Sequence, residues 1–206
     1  MNIINRKKNT ISKIFRAGVT IFAGIIFSAC SFMDLEWKLS GETSSATKNN
    51  ATAEAYFDEN GNKLGVTLSF YTVKDVLYIP ETFAGEKVVA VNFSDISKKS
   101  CTAIYFPDSV IEFDSLNGFT SLKTVYLPAS IKTITAQMMS SNTASKIETI
   151  ILPCKNPPVL ESESVFATST TVYIREKYKE NYENDEIWSK IKIDTYTNND
   201  DGENND

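Results

Sequence analysis

A four-residue pattern, apolar–tyrosine–apolar–proline, recurs along this chain and constrains its fold more than any other feature. It reads Leu77-Tyr78-Ile79-Pro80, Ile104-Tyr105-Phe106-Pro107 and Val125-Tyr126-Leu127-Pro128, and again as Ile150-Ile151-Leu152-Pro153 with isoleucine in place of tyrosine. Val172-Tyr173-Ile174-Arg175 repeats it with arginine in place of proline. The fourth positions are 27, 21, 25 and 22 residues apart. A unit of that size cannot bury a hydrophobic face alone, so successive units must stack, one short strand per turn.

Alternation assigns the faces. In a strand, the first and third residues point to one side and the second to the other. Leu77/Ile79, Ile104/Phe106, Val125/Leu127, Ile150/Leu152 and Val172/Ile174 are therefore expected to form core columns. Proline cannot donate a ladder hydrogen bond, so it ends pairing after each strand. Pro107-Asp-Ser-Val110 and Pro128-Ala-Ser-Ile131 continue alike, with Phe113 and Ile134 three residues further on. Leu122 and Ile147 lie six residues before their prolines, where Cys101 also falls, and Phe119 and Phe166 match on the return path. A period in the twenties suits a leucine-rich solenoid.

The motifs around these strands resemble the BspA-type leucine-rich repeats of bacterial surface proteins. The matching pieces are Ile79-Pro80 with Gly85-Glu-Lys-Val88, and Gly118-Phe119-Thr-Ser-Leu122-Lys-Thr-Val125-Tyr126-Leu127-Pro128-Ala-Ser-Ile131. Val172-Tyr173-Ile174 with Tyr178-Lys179, Tyr182 and Trp188 resembles the closing element of that family. The likeness covers residues 75–193 and implies adhesion or surface interaction. Two units depart from it with longer return segments, 92–102 and 136–146.

The expected architecture is a β-dominated α/β repeat fold: a leucine-rich-repeat solenoid of about five short strands. Asn60-Gly61 between Tyr56-Phe57 and the alternating Leu64, Val66, Leu68 and Phe70 predicts a hairpin whose two central turn residues take positive φ. This hairpin is expected to cap the N-terminal end. Trp188 with Tyr178, Tyr182, Ile187 and Ile191 has helical spacing and predicts a C-terminal helical cap over the last sheet edge.

Ahead of the repeats, residues 1–29 read as a signal peptide. Arg6, Lys7, Lys8, Lys13 and Arg16 form a basic start, followed by the apolar run Ala17 to Phe27. That run is shorter than the about 20 residues a membrane-spanning helix needs. Phe27-Ser28-Ala29-Cys30 resembles a bacterial lipobox, with phenylalanine where leucine is common. The resemblance implies that Cys30 carries a diacylglyceryl group and becomes the new N-terminus. Residues 30–52, rich in serine, threonine and asparagine, should be a flexible tether. The repeat domain occupies 53–196, and 197–206 is expected to be a disordered acidic tail.

Removal of residues 1–29 leaves 16 basic against 26 acidic side chains, a net charge of −10. That balance argues against a nucleic-acid partner and against headgroup attraction, so membrane attachment rests on the lipid. The expected location is the cell envelope, at the outer membrane or cell surface rather than the inner membrane. Cys101 and Cys154 fall two units apart at different repeat positions and are expected to be buried, unpaired thiols.

The chain has no histidine, which excludes a Ser-His-Asp triad, a Cys-His pair and a histidine-ligated metal within it. No cofactor or metal site is expected. Carboxylates are plentiful, but no pair is placed to converge in a cleft. The candidate site is the second strand position, where Tyr78, Tyr105, Tyr126 and Tyr173, with Ile151 between, should stack into one stripe. Such a stripe either binds a protein or glycan or only stiffens the sheet. The expected function is non-catalytic binding by a membrane-anchored lipoprotein. The alternative is a structural envelope lipoprotein without an external ligand.

Overall fold

The recurring strands lie side by side in one sheet, in chain order and all parallel. The computed structural model describes residues 51–70, 73, 75–93, 100–144 and 146–197. The signal segment, Cys30, most of the tether and nearly all of the tail lie outside these residues.

The described residues open with a hairpin, β1 (Ala51–Phe57) and β2 (Lys63–Phe70), which reaches two residues before the expected boundary at 53. Its turn differs in detail from expectation. Only Gly61 takes positive φ, at 81°, and Asn60 does not. The Gly61 N–H donates to the Asp58 carbonyl, and the Asp58 carboxylate accepts from the N–H groups of Asn60 and Asn62. This is a longer loop closed by a left-handed glycine, with a bulge at Tyr56/Phe57.

β3 (Val76–Tyr78) carries the first repeat, and β4 (Thr82–Phe83) turns back into β5 (Glu86–Asn92). Then come β6 (Ala103–Tyr105), β7 (Glu112–Phe113), β8 (Thr124–Tyr126) and β9 (Thr133–Ile134). Two four-residue helices follow, α1 (Ala136–Met139) and α2 (Ser141–Ala144). They occupy the longer return segment, and α1 is capped by the Thr135 hydroxyl accepting from the Met138 N–H. β10 (Thr149–Leu152), β11 (Val159–Leu160) and β12 (Thr171–Arg175) complete the repeats. The chain ends with α3 (Lys179–Glu183) and β13 (Ile193–Tyr196). Among the described residues strands thus dominate, several run parallel, and the helices are few and short.

The six-stranded sheet runs β3-β6-β8-β10-β12-β13. Its register aligns Leu77, Ile104, Val125, Ile150 and Val172 directly, so the sequence repeat is also the pairing repeat. The third residue of each strand extends the ladder once more: the N–H groups of Ile79, Phe106 and Leu127 donate to the carbonyls of Tyr105, Tyr126 and Ile151. Proline comes next and has no N–H to give. Where Arg175 replaces it, β12 runs through that position and pairs with Tyr196. The sheet therefore has six strands, not five. The last edge of the expected sheet is covered by β13, not by helices.

The hairpin pairs beyond itself. It is the end of a second sheet, where β2 runs parallel to β5 and β5 pairs with β7 and β4. Gly65 permits that approach, since a Cβ there would sit 2.3 Å from the Lys87 carbonyl oxygen. β9 and β11 pair further along.

The core contains every first and third strand position, each at most 1% exposed. Phe113 and Ile134 enter it from β7 and β9, and Leu122, Ile147, Cys101, Phe119 and Phe166 join as their repeat positions predict. Two buried threonine hydroxyls are satisfied within the stack: Thr143 Oγ1 donates to the Leu116 carbonyl at 2.8 Å and Thr170 Oγ1 to that of Ile147 at 2.7 Å.

Candidate binding face

The second strand positions point away from this core. In parallel register Tyr78, Tyr105, Tyr126, Ile151 and Tyr173 fall in one column. Tyr126, Ile151 and Tyr196 form a separate hydrophobic cluster, with Tyr105 and Tyr173 packed against it. The rings of Tyr78 and Tyr105 stack 4.8 Å apart at an interplanar angle of 8°. Tyr105 and Tyr126 follow at 6.4 Å and 36°. The 4.8 Å figure is the strand spacing itself, so the sheet sets the ring spacing.

The column stands on the face that alternation assigns, but it is less open than a bare stripe. Tyr78, Tyr105 and Tyr173 are half-buried, while Tyr126 is 3% and Ile151 4% exposed. Burial pushes the Tyr105 phenol well above its ordinary range, with Tyr78 adding to the effect. Tyr78 is raised by burial, and Tyr173 by burial and then by the Asp194 charge. The phenols are thus neutral hydroxyls at physiological pH.

Two further columns flank the tyrosines and escaped the sequence reading. Two residues before each second position stand Val76, Ala103, Thr124, Thr149 and Thr171, in register with one another. Their signal was present as the residue one place before each apolar–tyrosine–apolar motif. On the other side stand the four prolines, all buried, and then Arg175. The face is flat and apolar, with hydroxyls at its margin. It suits contact with another flat apolar surface or a sugar ring.

Cys101 and Cys154 are free, buried in the core and not on this face. Burial pushes both thiols up to about 12. Among the described residues, no three His, Cys, Asp or Glu side chains gather to hold a metal ion. A shallow depression near the starts of β8, β10 and β12 is lined by Thr120, Lys123, Lys146 and Glu148. Its cations are engaged: Lys123 Nζ lies 2.8 Å from Glu148 Oε1, and Lys146 Nζ donates to the Thr120 carbonyl.

The C-terminal aromatic group is internal. Tyr182 and Trp188 are 0% and 1% exposed and meet edge to face at 5.1 Å. Tyr178, Ile187 and Ile191 pack partly buried against the same core. Among the described residues, no helix is long and apolar enough to cross a membrane. Cys30 lies outside the described residues. A scan against protein-family models, a search of curated proteins and a search of solved structures each return no match.

Proposed function

We propose that this chain is a lipid-anchored envelope protein, held through Cys30, whose BspA-type leucine-rich-repeat solenoid binds a protein or glycan without catalysis. The observation that carries the reading is the ordered aromatic column on the outer face, with Tyr78 and Tyr105 stacked at 4.8 Å. Aromatic residues are frequent anchors of protein interfaces, because they offer large rigid contact area with a polar tip. The basic start, apolar run and Phe27-Ser28-Ala29-Cys30 support export and lipidation. The cell envelope, at the outer membrane or surface, is the matching location.

A second reading is a structural envelope lipoprotein with no external ligand. The low exposure of Tyr126 and Ile151 favours it, since covered rings contribute to stability before they contribute to binding.

The double variant Tyr105→Ser with Tyr126→Ser separates the two. On the binding reading, immobilised protein loses at least tenfold in affinity for envelope or host-surface glycoprotein material, about 1.4 kcal/mol, while the fold survives. Unchanged binding by a folded variant supports the structural role instead. The anchor is tested separately. Cys30→Ala should abolish incorporation of labelled fatty acid and release the protein from the membrane fraction.

A further inference from the structure

The repeat breaks its own rule at one place beside the tyrosine face. Leu122 and Ile147 lie six residues before Pro128 and Pro153, and both are buried. Six residues before Arg175 the place falls to Ser169, which is exposed. Thr170 turns inward instead, its hydroxyl donating to the Ile147 carbonyl. A small exposed residue where two rungs carry a large apolar one opens the surface there. The resulting depression encloses about 450 Å³, within the range of small-molecule sites. Departures from a fold's own regularity are expected at functional places.

The lining selects a kind of ligand. Lys123 Nζ lies 2.8 Å from Glu148 Oε1, with the two side chains 61% and 66% exposed. Lys146 Nζ donates to the Thr120 carbonyl at 3.1 Å. An ammonium has three donors and a carboxylate two oxygens, so each group keeps capacity while it stays where it is. The ion pair uses Oε1 and leaves Oε2 to accept. The exposed hydroxyls of Thr120 and Ser169 can both give and take a hydrogen bond.

An anion would meet the Glu148 carboxylate, and beyond it the field of a net charge of −10 once residues 1–29 are removed. A cation would meet two ammoniums. A neutral ligand with adjacent hydroxyls meets neither obstacle. One hydroxyl donates to Glu148 Oε2 while its neighbour accepts from Lys123 or Lys146. Lys123 and Glu148 are followed in the chain by Thr124 and Thr149, which are in register at the margin of the tyrosine face. Thr124 stands two residues from Tyr126, about 7 Å along the strand. The depression is therefore continuous with that face.

We propose that this depression seats one neutral sugar unit, and that the ligand of the tyrosine face is a glycan whose end it holds. The course of the glycan rests on reading that face as the binding surface; the sugar seat does not.

Saturation-transfer NMR on the full chain tests the seat with the methyl glycosides of glucose, galactose, mannose and N-acetylglucosamine. At least one glycoside should receive saturation. Lys123→Ala, Glu148→Ala and Ser169→Trp should each weaken its binding at least tenfold. All three positions are exposed, so the variants should melt as wild type does. Ser169→Trp fills the depression without removing either charge, which separates loss of the seat from loss of an ion pair. No transfer to any of the four glycosides, or wild-type binding in all three variants, overturns the proposal. Displacement of the glycoside by an equal concentration of inorganic phosphate overturns the choice of a neutral ligand. Tyr105→Ser with Tyr126→Ser should leave glycoside binding unchanged. Failure of the seat is thus read on glycosides and failure of the tyrosine face on envelope material, and neither result stands in for the other.

Discussion

The indole N–H of Trp188 donates to the carbonyl oxygen of Pro158 at 2.7 Å, thirty residues back along the chain. Tyr182 does the same for Cys154, its hydroxyl donating to that carbonyl at 3.0 Å. The two aromatic rings thus bind the last turn to the one before it, filling the core end while satisfying carbonyls that water cannot reach.

Trp188→Phe keeps most of the packing and removes the donor. It leaves the Pro158 carbonyl buried without a partner, at a cost of about 1–3 kcal/mol. Urea denaturation should show a lower midpoint with an unchanged slope. A midpoint equal to wild type would mean that solvent reaches this carbonyl.

Leu127 is 0% exposed at the third position of its repeat, within the main core. Leu127→Asp buries a carboxylate with no cation among its core neighbours. The penalty is several kcal/mol, comparable with the stability of a whole domain. The variant should be recovered unfolded or aggregated. A soluble protein with wild-type melting would contradict the core assignment.

The Cys101 and Cys154 thiols have pKa values raised from 9.0 to about 12, chiefly by burial. The folded state therefore keeps the proton that the unfolded chain gives up near pH 9. Their contribution is complete below pH 9 and is lost as pH rises from 9 toward 12. At pH 10 each thiol costs about 1.4 kcal/mol relative to neutral pH. Denaturation at pH 7.5 and pH 10 measures the loss. The double variant Cys101→Ala with Cys154→Ala should show a shallower decline. An identical pH dependence would show that other groups set it.

The register of the long sheet was legible because its signal is local and repeated. A branched or aromatic residue on either side of a tyrosine, with proline after, fixes both face and strand end. β5 was not legible in the same way. Val88-Val89-Ala90-Val91 is a continuous buried run, which carries no alternation to assign a face. β13 was missed because Ile193-Asp-Thr-Tyr196 breaks the motif, with aspartate where the other strands carry a tyrosine or isoleucine. The tyrosine column was placed on the correct side, but alternation says only which way a residue points. It cannot say what lies over it, and so the burial of Tyr126 and Ile151 was invisible.

A stack of like strands has an inherent tendency to polymerise. Its two ends are not self-complementary, so one copy adding head to tail on another makes a contact that never closes, and the product is a filament. On β13 the place in register with Tyr173 belongs to Asp194, which is exposed. A second molecule extending the sheet from this edge would bring its Tyr78 beside that carboxylate instead of another ring. A charge set into an edge strand is a common guard against such growth. One aspartate thus sets a charge in the place where the column of aromatics would otherwise continue.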